Sequence, residues 1–285
     1  MKKWIQTFVP DKDLFFLPET NLASFKEYLS NVLVVPHEEF KNHSTYKQVQ
    51  LANSYEYWNL SKEVKYVLVT PPGWVDQLPV EKKTELLHIQ VRVGRGIIHP
   101  ISAFSVDISF LSENTIEVNG EKYLVLHKEM WEELSYTSKQ DLMTDIAQEW
   151  EEWTCYDVPP QTPPHLLSFA NSFPSRAGSN CLSATLFAIT KQEWIIHEWV
   201  HPQTFLQSLE NEDYHLTSPE NMRAGDVLTW ENADGIIQHA SYCIDGHFFF
   251  NKRGQTFFNA WSIVHFDDLK EDWGHYHMKS FRKHS

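Results

Sequence analysis

Four prolines fall within seven residues at Val158-Pro159-Pro160-Gln161-Thr162-Pro163-Pro164. Proline has no amide hydrogen to donate and holds φ at about −65°, so this stretch can neither continue a helix nor sit inside a sheet. The chain of 285 residues is long enough for two domains. It is expected to divide at the prolines: an N-terminal accessory domain over 1–157, a Pro-rich linker at 158–164 and a C-terminal domain over 165–285.

The N-terminal part reads as mixed α/β. Ser24 to Val35 has the spacing of a short helix. Val64 to Val69 reads as a strand stopped by Pro71-Pro72-Gly73, and Val80 to Val93 as a helix stopped near Gly94 and Gly96. Thr115 to Val118, then Asn119-Gly120, then Glu121 to Leu126 is a hairpin pattern, because Asn-Gly suits a type I′ turn. Ser138 to Trp153 reads as an acidic amphipathic helix. Trp74, Trp131 and Trp153 are candidates for lining a groove, although core packing is the commoner use of tryptophan.

After the prolines, Leu166 to Phe173 has a helical pattern. Ser179-Asn180-Cys181-Leu182-Ser183-Ala184-Thr185-Leu186-Phe187-Ala188-Ile189 is then a polar loop running into an apolar helix. Asn180 is a good N-cap, which puts the Cys181 thiol in the first turn, where unpaired N–H groups and the helix dipole favour a thiolate. Gly225 to Trp230, His239 to Ile244 and His247 to Phe250 read as strands, the last two joined at Asp245-Gly246. Strand alternation puts Cys243 on the face of His239. Asp226 reads as shaping the turn into its strand.

The net charge of −14 argues against a nucleic-acid partner, which needs clustered Lys and Arg. Cys155, Cys181 and Cys243 are scattered and odd in number, so no disulfide framework is expected. Lys2 and Lys3 precede a short apolar run cut off by Asp11, Lys12 and Asp13, which is not a signal sequence, and no run is long enough for a membrane span. A reduced, cytoplasmic chain is the simplest expectation.

His197-Glu198-Trp199-Val200-His201 matches the H-E-x-x-H zinc-peptidase pattern, which needs both histidines on one helical face, with His215 or Glu212 as the third-ligand candidate. Trp194 to Val200 is β-branched and aromatic, closer to a strand than a helix. Pro202 also disfavours helical geometry at His201. No metal and no cofactor are therefore expected. His265, His275, His277 and His284 read as solvated, with His275 and His277 flanking Tyr276 as on an edge strand.

Taken together, Asn180-Cys181-Leu182-Ser183-Ala184, Ala224-Gly225-Asp226-Val227-Leu228, His239-Ala240-Ser241-Tyr242-Cys243-Ile244-Asp245-Gly246 and Phe250-Asn251 resemble the NlpC/P60 family of papain-like cysteine peptidases. The resemblance covers roughly 165–260. Asn180 stands where the family carries an acidic residue, Leu182-Ser183 replaces its small pair, and Ala224 stands at its usual proline. The resemblance implies an α+β fold with a nucleophile helix packed on an antiparallel sheet. It implies Cys181 as nucleophile, His239 as base, and Asn251 as the residue orienting the imidazole, with Gln255 as the fallback. The implied activity is hydrolysis of an amide or peptide bond through an acyl-enzyme, with γ-D-glutamyl peptides of cell-wall origin as the substrate class. The departures around Cys181 motivate a second expectation, a non-catalytic or acyl-transferring relative.

Overall fold

Antiparallel pairing organises both halves of the chain. The computed structural model describes residues 1–105, 108–151 and 153–284. These form two compact units, Met1–Glu149 and Trp150–Ser285. Helices and antiparallel sheets are mixed in each, an α+β architecture.

In the first unit, β1 (Asp13–Pro18), β2 (Leu33–Pro36) and β3 (Val64–Thr70) make one sheet in the order β1-β3-β2. A second sheet is made by β4 (Ile98–Pro100), β5 (Thr115–Val118) and β6 (Glu121–Val125) in the order β4-β6-β5. Asn119 and Gly120 take φ of 55° and 84° between β5 and β6, the left-handed pair that a type I′ turn requires. The Val80–Val93 helix buries Leu86, Leu87, Ile89 and Val93 and ends at Gly94 with φ of 73°. Its Gln90 is buried against β1, accepting from Phe16 N at 2.7 Å and donating to Phe16 O at 3.1 Å, so the amide is satisfied inside the core. Trp74 and Trp131 are core residues, their indole N–H groups donating to Tyr28 O and Ile5 O.

Two elements here differ from expectation. Ser24 to Val35 is not one helix: Ala23–Tyr28 forms a 3-10 turn, and β2 follows because Leu33, Val34 and Val35 pair with Val69, Leu68 and Val67 of β3. The acidic helix runs Tyr136–Trp150, starting and ending earlier than expected; Glu152, inside the expected span, lies outside the described residues.

The second unit takes in the proline stretch: Tyr156 N donates to Ile263 O at 3.0 Å, Thr162 is buried, and Gln161 bonds Asp245. Leu166 to Phe173 is not a regular helix. A 3-10 turn at Pro164–Leu166 gives way to turns, and Ser172 bridges to Trp261.

Six strands build the sheet of this unit: β7 (Tyr214–Thr217), β8 (Val227–Glu231), β9 (Ile237–Cys243), β10 (Phe248–Asn251), β11 (Ser262–His265) and β12 (His277–Lys283). Their order is β11-β10-β9-β8-β12-β7. β12 is therefore interior, paired with both β8 and β7, rather than an edge. The two faces carry separate cores. On one, Leu182, Leu186 and Phe187 of the Cys181–Thr190 helix pack with Ala240, Tyr242, Phe250 and Ile263. On the other, Trp230, Cys243, Phe249 and Val264 pack with Leu269 and Trp273 of the Phe266–Trp273 helix. No helix among the described residues is long and apolar enough to cross a membrane.

Candidate active site

Cys181 is the first residue of its helix. The start is fixed by a reciprocal capping box: Asn180 Oδ1 accepts from Ser183 N at 2.9 Å and Ser183 Oγ accepts from Asn180 N at 3.0 Å. Asn180 Nδ2 also donates to Val200 O at 2.8 Å, tying the helix start to the 193–202 segment. Cys181 lines a pocket of about 300 Å³ together with Leu182, Trp199, His201, Gln238 and His239. This pocket lies where β9 begins and β10 ends, closed on one side by Arg253, Gly254 and Gln255.

His239 is fully buried in β9. Asn251, from the paired strand β10, places Oδ1 at 2.7 Å from His239 Nε2 and also accepts from Ser241 Oγ at 2.6 Å. An oxygen already taking a hydroxyl proton needs a donor from the imidazole, so Nε2 carries the hydrogen and Nδ1 is left as the basic nitrogen. Nδ1 is buried and without a hydrogen-bond partner. Trp273 stacks on the ring, and Trp230 packs beside it at 5.6 Å.

The structure thus brings His239 and Asn251 together and puts Cys181 at the same pocket, with no hydrogen bond between imidazole Nδ1 and the thiol. Ala240 and Tyr242 face the Cys181 helix, whereas His239 shares its face with Ser241, Cys243 and Trp230, as alternation demands. Cys243 is enclosed and accepts from Gly246 N at 3.1 Å, which marks it as structural. Gln255 keeps to the pocket rim; its carbonyl accepts from Gly178 N at 3.0 Å, while the imidazole's partner is Asn251.

Burial pushes the Cys181 thiol up to about 11, against the pull of the amide N–H groups of Ala240, Leu182 and Cys181 and the charge of Lys252. The expected gain from the helix start is therefore present but outweighed by desolvation. The residue as a whole is half-buried and open on its pocket side, so water or substrate entering there works against that desolvation. Burial likewise pushes His239 down to about 3, opposed by its bond to Asn251. Both shifts favour the neutral form of the group.

The H-E-x-x-H segment is neither the expected strand nor a zinc helix. Glu193–His197 is a 3-10 turn, and His201 is extended at φ −89° and ψ 153°, capping the Pro202–Asn211 helix. The His197 ring packs on Phe169 and Trp261 while His201 lines the pocket, so the pair does not share a helical face. Among the described residues no three His, Cys, Asp or Glu side chains are gathered as a metal ion requires.

Three residues of the site were missed in the sequence: Ser241, Trp273 and Lys252. Ser241 could have been found by alternation from His239, two residues earlier in the same strand. No family model matches the chain, and neither a curated protein nor a solved structure matches it.

Proposed function

We propose that the second unit is a papain-like, thiol-dependent amide hydrolase or peptidase working through an acyl-enzyme. The observation that supports it best is the His239–Asn251 pair. It commits Nε2 to Asn251 and leaves Nδ1 buried and without a hydrogen-bond partner, in a residue that lines the same pocket as Cys181. In this reading His239 first moves toward the thiol, to which it makes no hydrogen bond in this structure, and the Cys181 proton then passes to Nδ1 as the sulfur attacks the substrate carbonyl carbon. The backbone N–H of Cys181 faces the oxyanion that forms. The tetrahedral intermediate collapses with loss of the amine, which takes the proton from His239. Water, deprotonated by the same nitrogen, then cleaves the thioester. Asn251 holds the ring in the tautomer that this sequence of transfers needs.

The substrate class is carried by the NlpC/P60 resemblance: small peptides with γ-D-glutamyl linkages of cell-wall origin. A second reading, a non-catalytic or acyl-transferring relative, is favoured by two observations. The thiol is pushed up rather than down, and it makes no hydrogen bond to the imidazole.

Alkylation by iodoacetamide across pH, mapped by mass spectrometry on wild type and His239→Ala, separates the two. The hydrolase reading expects Cys181 to react well below the pH of a free thiol, and His239→Ala to remove that reactivity. Reaction of Cys181 only near pH 11, equal in both proteins, would leave the non-catalytic reading standing.

A further inference from the structure

Ser241 lies two residues after His239 in β9, on the same face, and both are wholly enclosed. Asn251 reaches them from β10, where it follows Phe250, the register partner of Tyr242. Its Oδ1 takes two donors at once, the Ser241 hydroxyl at 2.6 Å and His239 Nε2 at 2.7 Å, and Ser241 Oγ stands 3.4 Å from that same nitrogen. Three side chains therefore close a triangle around one oxygen. Asn251 Nδ2 and His239 Nδ1, the far ends of the amide and of the ring, are buried without hydrogen-bond partners.

A side-chain amide can be turned over almost without change of shape, exchanging its acceptor end for its donor end. Turned over, Asn251 would offer Nδ2 to the imidazole, Nε2 would have to accept, and the ring hydrogen would move to Nδ1. Asn251 and His239 alone do not choose between these states. Each state makes one hydrogen bond between them and leaves one ring nitrogen and one end of the amide unpaired. Ser262 Oγ, on the register partner of Asn251 in β11, makes no hydrogen bond to either end and does not enter the choice.

The Ser241 hydroxyl does choose. Its spacing of 2.6 Å from Oδ1 is that of an O–H···O bond, shorter than an N–H···O bond usually is. In the turned-over state Ser241 Oγ would accept from Nδ2. Its own hydrogen would then face only Nε2 at 3.4 Å, a nitrogen already taken. A buried donor left without an acceptor is costly enough to favour the observed state by roughly tenfold or more.

We propose that Ser241 is a positioning residue for His239: its hydroxyl fixes which end of the amide Asn251 shows to the ring, and so keeps Nδ1 free of hydrogen, as a base must be. The inference rests on the reading of His239 as the base. A merely structural serine would fill its place in the core without affecting the tautomer.

The test is the tautomer of His239 near pH 7, where burial favours the neutral ring. It is read from imidazole nitrogen resonances of the isotope-labelled full chain, assigned by their loss in His239→Gln. Wild type is expected almost wholly as the Nε2–H form. Ser241→Ala is expected to bring the Nδ1–H form to a comparable share, a shift of roughly tenfold in the ratio. Adding Asn251→Asp to Ser241→Ala is expected to restore Nε2–H, since a carboxylate has no donor end to show. A pure Nε2–H ring in folded Ser241→Ala overturns the proposal, as does an Nδ1–H ring in wild type or a double variant that stays mixed. If Ser241→Ala does not fold, Ser241→Cys decides in its place: a thiol is a weak donor, so the ratio must move toward Nδ1–H, and an unmoved ratio overturns the proposal. The tautomer is read without any chemistry at Cys181, so the two readings fail separately. Reaction of wild-type Cys181 with iodoacetamide only near pH 11 would sink the hydrolase reading whatever the tautomer.

Discussion

The indole of Trp273 lies flat on the imidazole of His239, with ring centroids 4.3 Å apart and planes within 4° of parallel. Together with Trp230 it walls the ring off from water, which is the cause of the low imidazole pKa. Replacing Trp273 with Ala should therefore raise the His239 titration midpoint by more than one unit, read from imidazole resonances by NMR. The lost packing should lower unfolding stability by about 2 kcal/mol. An unmoved midpoint would mean that the strand environment, not the indole, keeps the ring dry.

Acid should unfold this unit through His239. The unfolded chain protonates this histidine near its ordinary value of about 6.5, whereas the folded chain resists until about 3. A depressed folded value means that the contribution is whole above about 6.5 and is lost as pH falls toward 3. Between pH 7 and pH 4 that loss amounts to roughly 3 kcal/mol. His239→Gln should flatten this part of the curve in urea titrations at the two pH values, leaving only the slope due to other groups.

Removing the helix cap should loosen two parts of the site at once. Asn180→Ala deletes the acceptor for Ser183 N and the donor to Val200 O, at about 1 kcal/mol for the cap alone. Asn180→Asp keeps the acceptor and should recover most of that loss. Thermal melts of the three proteins give the order wild type, Asp, Ala.

Asp226 reads in the sequence as a turn former, and it is also the buried half of an ion pair with the partly exposed Arg282. Its carboxylate accepts from Arg223 N at 2.8 Å, and from Arg282 Nε and Nη2 at 2.7 Å each. Arg282→Ala leaves that carboxylate enclosed without its cation and should destabilise the unit by roughly 2–3 kcal/mol. Arg282→Lys, unable to match the two-pronged geometry, should fall between the two in chemical denaturation.

What could be read from the sequence was local. Asn119-Gly120 announces its turn because few other pairs tolerate two positive φ values, and Gly94 announces the end of the Val80–Val93 helix for the same reason. Asn180 announces a cap because its short side chain reaches a backbone N–H two or three residues on. Leu33-Val34-Val35 gave no such sign, since its strand state comes from β3, about thirty residues away. Phe169 and Leu166 have helical spacing but are used by a core that wants turns there. The segment around His197 shows how a β-branched, aromatic composition yields to a following proline and a capped helix. Lys252, inside Asn251-Lys252-Arg253-Gly254-Gln255, has the composition of a solvated loop; nothing in its neighbours tells that its Nζ is enclosed by carbonyls of residues four and seven positions later. The stacking of Trp273 on His239 joins residues 34 positions apart and belongs to tertiary structure alone.

The alternation of β9 has a consequence for how such a site is tuned. Ala240 looks toward the Cys181 helix and His239 looks the other way, so the two halves of the proposed dyad lie on opposite sides of the strand, sharing the pocket where it begins. The register shift where Trp230 and Glu231 face β9, opposite His239 and Ile237, sits at that end, and bulges of this kind bend a strand locally. Single-residue insertions or deletions near Glu231 would thus change the local bend of β9 beside His239 without replacing any residue of the candidate site.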